Sequence, residues 1–157
     1  MRVIVFSDSH GVLRFARRAL EEAGRVDLLL HAGDFCRDGL RLAGEAGLPV
    51  RAVRGNCDDP GEGPLEEVVE ASGCRILLAH GHMGGPERWL ERLLAKAAEC
   101  GAGAVVFGHT HTAEIFKEKG ILFFNPGSIA RPRDYDRPSY GILEIGSKGL
   151  SPFLHRI

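Results

Sequence analysis

Short apolar runs alternate with amphipathic stretches through the first third of the chain. Three runs with strand-like composition, each followed by polar residues, cover residues 3–6, 27–31 and 50–53. Residues 12–23 place apolar side chains at helical spacing, and Gly24 follows where a helix is expected to end. A shorter helix is predicted over residues 39–46, with Asp38 able to cap its start. This βαβαβ order predicts parallel strands joined by right-handed crossovers.

The pattern changes in the second half. Residues 67–70 and 75–79 predict an antiparallel pair that turns at residues 71–73. A long helix is predicted over residues 86–100, because Pro86 suits a first helical position and Gly101 a stop. Its apolar stripe predicts a core face and no cofactor role, and it consists of Trp89, Leu90, Leu93, Leu94 and Ala97.

Strands dominate the remainder of the chain. They are predicted over residues 104–107, 113–117, 121–124, 140–145 and 150–156. Two packed sheets flanked by helices would bury all of these apolar runs. No linker or repeat interrupts the pattern, so residues 1–157 are predicted to form a single α/β domain.

Charge and composition narrow the classes of function. The net charge is -1, which does not indicate binding to nucleic acid or to an anionic membrane. No apolar run approaches the roughly 20 residues of a membrane helix, and the first run is too short for a secretory signal. The four cysteines form no Cys-x-x-Cys pair, which favours a reducing cytoplasm. We therefore expect a cytoplasmic protein with a small-molecule substrate and no membrane partner.

Chemistry-bearing residues stand where the predicted strands end. They lie in the motifs Asp8-Ser9-His10, Gly33-Asp34, Gly55-Asn56-Cys57-Asp58, His80-Gly81-His82 and Gly108-His109-Thr110-His111. Ligands gather outside the carboxyl ends of strands in open α/β sheets, so these side chains should converge. Carboxylate, amide and imidazole groups bind divalent metals without any thiolate. The motifs therefore predict a two-metal hydrolytic centre.

Together these motifs resemble those of the calcineurin-like metallophosphoesterase superfamily, and in particular its small YfcE-like phosphodiesterase branch. The resemblance extends from Asp8 to the Asn125-Pro126-Gly127-Ser128 stretch. It implies the metallophosphoesterase fold, a four-layer α/β/β/α sandwich of two mixed sheets flanked by helices. It also implies two metal sites that share Asp34, the first formed by Asp8, His10, Asp34 and His111 and the second by Asp34, Asn56, His80 and His109.

The activity that the resemblance implies is hydrolysis of small phosphodiesters by attack of a metal-bridging hydroxide on phosphorus. Asp34, Asn56 and His80 are expected to be catalytic as well as metal ligands. Two divalent ions are implied, with Mn²⁺ as the first choice and Fe, Ni, Co or Zn as alternatives, because this ligand set does not select one metal sharply.

One residue departs from the pattern of the superfamily. Cys57 stands where the wider superfamily has a histidine as proton donor to the leaving group. A thiol is a poor substitute for an imidazolium acid, and proton donation commonly contributes about 10²–10⁴-fold in rate. We therefore expect a preference for good leaving groups, while Asp58 orders the loop or a water molecule.

Substrate contact is predicted for Asn56, His82, Asn125, Ser128 and Arg133. A purely structural role is an alternative explanation for most of these residues. His82 is equally well explained as a hydrogen-bonded loop residue, the Asn125–Ser128 stretch as an ordinary turn, and Arg133 as part of a solvated arginine-rich face. Outside this set, His31 is expected to be a buried strand residue satisfied by backbone groups, and His155 has no predicted function.

The sequence is also compatible with other functions. The same metals could hydrolyse phosphomonoesters, pyrophosphate or nucleic-acid phosphodiesters, since specificity depends on the loops around the site. A scaffold that resembles the metallophosphoesterase-like subunit of the retromer complex is less favoured, because no part of the metal set is missing here. A homo-oligomer is open as well.

Overall fold

The structure is a computed structural model that describes residues 1–157. Ten strands and three helices follow one another as β1 (Arg2–Phe6), α1 (Arg14–Ala23), β2 (Leu28–His31), α2 (Cys36–Ala46), β3 (Val50–Ala52), β4 (Glu66–Ala71), β5 (Cys74–Ala79), α3 (Gly85–Cys100), β6 (Ala104–Val106), β7 (Ala113–Glu118), β8 (Ile121–Pro126), β9 (Ser139–Gly146) and β10 (Gly149–Arg156). Every predicted element is present, and all except α2 begin and end within two residues of the predicted bounds.

The strands form two five-stranded mixed sheets. The first has the order β10-β9-β1-β2-β3, in which β1, β2 and β3 are parallel, as predicted, and β9 is antiparallel to both of its neighbours. The second has the order β4-β5-β6-β8-β7, in which β5, β6 and β8 are parallel and the outer strands are antiparallel. In each sheet, the three parallel strands are adjacent to one another and end at the same edge.

Side-chain alternation along the strands divides the core into layers. Val5 of β1 packs between the sheets with Leu78 and Val106 of the second sheet, whereas its neighbour Ile4 faces the opposite way. The outer face of the first sheet is covered by α1 and α2, and the outer face of the second by α3 through Leu93 and other residues. This arrangement confirms the four-layer α/β/β/α sandwich. None of the three helices combines the length and the apolar character that a bilayer-spanning segment requires.

The start of α2 differs from the prediction. The helix begins at Cys36, and its N-cap is Phe35, whose φ of 68° lies in the left-handed region. The prediction that Asp38 caps the start of the helix is wrong, because this residue lies in the first turn. Its carboxylate accepts hydrogen bonds from Ser9 Oγ (2.7 Å) and Gly11 N (2.8 Å) instead. Asp38 thus ties α2 to the loop after β1, a contact between segments that local sequence does not encode.

Candidate metal centre

All seven predicted metal ligands lie together at the carboxyl ends of five strands. Asp8 and His10 follow β1, Asp34 follows β2 and Asn56 follows β3, while His80 follows β5 and the pair His109 and His111 follows β6. Backbone hydrogen bonds fasten neighbouring loops to one another, from Asp8 N to Gly33 O (3.0 Å) and from Gly108 N to His80 O (3.1 Å). The matching edges of both sheets therefore form one site.

The loops bend sharply at the ligands themselves. Eight non-glycine residues have a positive φ, and five of them are predicted ligands, namely Asp8 (53°), His10 (46°), Asp34 (56°), His109 (70°) and His111 (59°). A left-handed conformation costs a non-glycine residue about 1–3 kcal/mol, and such residues concentrate at functional sites. The chain tolerates this cost repeatedly at one place, which indicates a site shaped for function.

Asp8, His10 and His111 form the first corner of the site. His111 Nδ1 lies 2.7 Å from the carbonyl oxygen of Arg131, so the ring donates there and turns Nε2 towards Asp8 Oδ1, 3.2 Å away. His10 Nε2 lies 3.3 Å from His111 Nε2 and 3.6 Å from Asp34 Oδ2. Asp8 Oδ1 is buried and accepts no hydrogen bond. A buried carboxylate oxygen faced by imidazole nitrogens, with ligand atoms within 4.8 Å of one another, fits a cation.

The second corner contains the amide and the other imidazoles. His80 Nδ1 lies 2.7 Å from Ala32 O, so the ring donates there and its Nε2 faces Asp34 Oδ1 (3.2 Å) and Asn56 Oδ1 (3.1 Å). His109 Nδ1 lies 3.0 Å from the same Asn56 oxygen. The two carboxylate oxygens of Asp34 thus face different corners, as a ligand shared by two ions requires.

The carboxylates and imidazoles of the site shift one another's pKa values. Burial alone would lower the pKa of His80, but the adjacent Asp34 and Asp8 carboxylates outweigh it and raise the pKa. The Asp8 carboxylate likewise raises the pKa of His111. Burial favours the neutral acid of Asp34, yet His80 and the backbone N–H of Cys57 hold its pKa well below the usual range. Burial lowers the pKa values of His10 and His109. The carboxylates therefore need positive charge, which protons or metal ions can supply.

Two residues predicted to contact substrate lie beneath the site instead of lining it. Asn125 is fully buried on β8, where its amide donates to Gly108 O (2.9 Å) and Thr110 Oγ1 (3.1 Å) and its oxygen accepts from Gly127 N. Ser128 donates to the carbonyl oxygen of Asp8 (2.8 Å) and accepts from the backbone N–H groups of Ala130 and Arg131. Their polar atoms are used within the protein, so both residues hold the ligand loops in place.

Sequence reasoning missed another supporting residue. Ser7, the residue after β1, is fully buried, and its hydroxyl donates to Asp8 Oδ2 at 2.6 Å. The backbone N–H of His109 donates to the same oxygen at 3.1 Å. These bonds occupy one Asp8 oxygen and leave the other for the site. A serine before an aspartate has no distinctive spacing, so no signal in the sequence separates Ser7 from an ordinary strand-end residue.

The Cys57–Asp58 pair has distinct roles. The Asp58 carboxylate accepts hydrogen bonds from Gly55 N (2.7 Å) and Cys36 N (3.0 Å), which orders the loop after β3 against the start of α2. Cys57 is exposed and borders the cavity. Partial burial and the neighbouring Asp34 carboxylate raise the pKa of its thiol to about 11, so the thiol is neutral at pH 7.

The remaining histidines lie around the site or far from it. The His82 ring lies tilted against those of His80 and His109, with ring centroids 5.4 and 6.2 Å away, and its buried Nδ1 has no hydrogen-bond partner. His82 does not border the cavity.

His31 is buried on β2, as predicted. The prediction that backbone groups form hydrogen bonds with its ring nitrogens is wrong. Its Nε2 pairs with Ser9 Oγ (3.0 Å) and its Nδ1 has no partner, while burial lowers its pKa to about 4. His155 lies on β10 and stacks on Tyr140 of the neighbouring strand β9, with ring centroids 5.0 Å apart.

A cavity of about 810 Å³ opens above the ligands. Its lining includes His10, Asp34, Asn56, Cys57, His109, His111, Gly85, Pro86, Trp89, Phe107, Arg131 and Arg133. The two arginines are exposed, and neither guanidinium forms an ion pair with a carboxylate. Backbone contacts attach their loop to the ligands, because Arg133 N donates to His111 O (2.9 Å). Unpaired cations thus border a cavity whose floor carries two carboxylates.

Comparison with known proteins yields a consistent set of relatives. A family model described as "Calcineurin-like phosphoesterase superfamily domain" matches residues 1–148. The chain is 37% identical to the probable metallophosphoesterase YsnB of Bacillus subtilis, over 92% of this chain and 85% of that protein. It is 32% identical to the phosphodiesterase YfcE of Escherichia coli, over 92% of this chain and 88% of that protein.

Solved structures agree with these relatives. A predicted phosphoesterase from Streptococcus pneumoniae superimposes with a TM-score of 0.81 at 29% identity, covering 99% of this chain and 88% of that chain. Vps29 of Entamoeba histolytica, crystallised with Zn²⁺, has a TM-score of 0.77 at 26% identity, covering 100% of this chain and 98% of that chain. The similarity of fold therefore extends over nearly the whole chain.

Proposed function

Because the chain belongs to the calcineurin-like phosphoesterase superfamily, in the small branch that contains YfcE and YsnB, we propose that it hydrolyses small phosphodiesters with two divalent cations. Residues 1–157 would then act as one phosphoesterase domain. The four cysteines are free, which supports a reducing compartment such as the cytoplasm.

The observation that carries this proposal is the arrangement of carboxylate oxygens. Asp8 Oδ1 is buried without a hydrogen bond, and the two oxygens of Asp34 face separate sets of imidazole nitrogens. Such a floor fits two cations. One would be held by Asp8, His10, Asp34 and His111 and the other by Asp34, Asn56, His80 and His109.

The metals and the protein contribute different parts of the chemistry. Bound divalent ions supply Lewis acidity, which lowers the pKa of water and neutralises charge on phosphoryl oxygens. We assign Mn²⁺ first, with Fe, Ni, Co and Zn as alternatives, since nitrogen and oxygen ligands accept all of them. Asp34, Asn56 and His80 orient this centre, because their contacts fix the ligand atoms on the side facing the cavity.

Residues of the cavity wall would bind the substrate. The unpaired guanidinium of Arg133 suits the non-bridging oxygens of a phosphodiester, which it can bind with two parallel N–H groups. The Asn56 amide nitrogen is available for a phosphoryl oxygen, apart from a 3.6 Å contact with Cys57 Sγ. The neutral Cys57 thiol is a weak proton donor, so substrates with good leaving groups should react fastest.

Hydrolysis of a panel of substrates tests the proposal. Protein loaded with Mn²⁺ should release p-nitrophenol from bis(p-nitrophenyl) phosphate faster than from p-nitrophenyl phosphate, with pyrophosphate and single-stranded DNA measured alongside. An enzyme inert towards the diester but active on another member of the panel would replace the proposed bond with that one.

A scaffold would behave differently. Asp34→Ala should abolish hydrolysis and the binding of two metal ions, measured by elemental analysis of the purified protein. A parent protein that binds no metal and hydrolyses nothing would contradict the enzymatic proposal and favour an interaction surface, particularly if the Asp34→Ala variant kept any binding partner.

A further inference from the structure

The cavity above the metal centre is larger than a phosphate group requires. Its volume of about 810 Å³ lies in the range of sites that enclose small organic ligands. One part of its lining is formed by Gly85, Pro86, Trp89 and Phe107, next to the ligand loop of residues 108–111. We call these four residues the aromatic wall. Neither metal binding nor phosphate contact uses it.

Trp89 reaches the cavity because of its position on α3. Trp89, Leu93 and Ala97 share one helix face at a spacing of four residues. Leu93 and Ala97 are 1% and 0% exposed, whereas Trp89 is only partly buried. Side chains of a helix tilt towards its N-terminus, and α3 begins at Gly85, on the rim of the cavity. The indole therefore lies beyond the buried part of this helix face and lines the cavity as part of the aromatic wall.

Phe107 supports the indole and connects it to the metal centre. The two ring centroids are 5.1 Å apart and the ring planes are inclined by 31°. Phe107 is 1% exposed and precedes Gly108 and the ligand His109 directly. Its ring also lies against the position of Gly81, next to His80, where an added Cβ would meet Phe107 Cδ2 at 3.6 Å. The aromatic wall is therefore continuous with both ligand loops of the second sheet.

From this continuity we infer that Trp89 is a specificity-determining residue that receives a planar aromatic substituent of the phosphodiester. The inference rests on the proposed phosphodiesterase function and names the class of ester group. A ring can stack on the exposed side of the indole, which Phe107 supports, while an alkyl group gains only apolar contact there. Stacking of aromatic pairs changes affinity by about two- to tenfold beyond the effect of buried area.

Two diesters with the same leaving group test this inference in the Mn²⁺-loaded enzyme. For p-nitrophenyl phenyl phosphate and methyl p-nitrophenyl phosphate, we compare kcat/KM. The Trp89→Leu variant should lower the ratio of the phenyl to the methyl value by about two- to tenfold, mainly through KM, and Trp89→Phe should restore most of it. Leu90→Ala is the matched control, because Leu90 packs against the same core cluster but does not border the cavity. Equal losses on both substrates would show a structural role and overturn the inference.

A second readout does not depend on hydrolysis. Trp89 is the only tryptophan of the chain, so selectively excited tryptophan fluorescence reports on the aromatic wall alone. In Zn²⁺-loaded protein, phenylphosphonate should protect Trp89 from acrylamide quenching more than methylphosphonate does. Equal protection by both phosphonates, at concentrations that saturate the site, would overturn the inference even if phosphodiesters are hydrolysed. Failure of the proposed function would appear separately, as a lack of hydrolysis of either diester.

Discussion

The floor and the wall of the cavity are built in opposite ways. The floor residues Asp8, Asp34, His80 and His111 are at most 7% exposed, and each is oriented by a hydrogen bond to the protein. The cavity wall is the rest of the lining and includes the aromatic wall. In it, Arg131, Arg133 and Cys57 are exposed, and the two arginines have no carboxylate partner. A rigid floor determines the type of reaction, because its ligand atoms cannot move without breaking buried contacts. We expect the wall to influence which substrate is bound, because its exposed side chains can change at little cost to folding.

The largest expected effect comes from breaking the floor at the shared carboxylate. Asp34→Asn keeps the shape of the side chain but removes the charge that faces both corners. We expect kcat/KM for an activated diester to fall roughly 10³-fold, since metal ions supply several kcal/mol of charge stabilisation. Metal content of the purified variant should fall in parallel. Asp136→Asn, an exposed change of the same atoms, is the control, and an Asp34→Asn variant with full activity would contradict the assignment.

A methyl group added beneath the floor should act through packing. The Cβ of an alanine at position 108 would overlap Ser7 Oγ and lie 2.7 Å from Asp8 Oδ2. We expect Gly108→Ala to lower the free energy of unfolding by about 1–3 kcal/mol and to weaken metal binding. Gly44→Ala is the matched control, because the Cβ added there in α2 meets no atom within 4 Å apart from its chain neighbours and the local helix backbone. That control should be stabilised by about 0.5–1 kcal/mol in denaturant titrations. Equal stabilities of the two variants would show that the contact at Gly108 relaxes freely.

Metal binding should depend on pH with a defined sign. The Asp34 and Asp8 carboxylates raise the pKa of His80 and the Asp8 carboxylate raises that of His111, and both rings must be neutral to bind a metal. Protons therefore compete as the pH falls, and affinity for Mn²⁺ should decrease by at most about tenfold per pH unit for each ring that must lose a proton. Titration calorimetry between roughly pH 6 and pH 8 measures this slope. His80→Gln should reduce the slope by one proton, and a flat profile would contradict the shifted pKa values.

The smallest effect is expected in the wall. Arg133→Ala should raise KM for a phosphodiester about tenfold and leave kcat nearly unchanged, because a charge-assisted hydrogen bond to substrate contributes about 1.5–3 kcal/mol when buried and less at an exposed position. Steady-state kinetics on bis(p-nitrophenyl) phosphate provide the measurement. Arg25→Ala makes the same change in net charge at a side chain that is 94% exposed and far from the cavity. If both variants raised KM equally, general electrostatic attraction would replace direct contact.

Prediction from sequence succeeded where one segment contains the whole signal. The strands end in Asp, Asn and His residues, and each apolar run is short and bounded by polar residues, so the elements could be predicted before any contact was known. The same pattern indicated the seven candidate ligands, which the fold brings together at one site. Positions whose roles depend on distant segments were less predictable. Asp38 reads as a helix cap but binds the loop after β1, and Trp89 reads as a core residue but reaches the cavity.

The sequence by itself determined the alternation of strands and helices and the metal-binding character of the strand ends, because periodicity and residue type act locally. Only the tertiary structure decided which strands are neighbours, and hence that loops from two sheets meet at one edge. It also decided that Asn125 and Ser128 support the loops from below and that the Arg131–Arg133 loop and the start of α3 enclose the same cavity. Pairing between segments far apart in the chain depends on the packing of the whole core, which no local pattern records. The motifs at the strand ends therefore indicate a metal centre, whereas the surface that we propose for substrate binding exists only once the chain is folded.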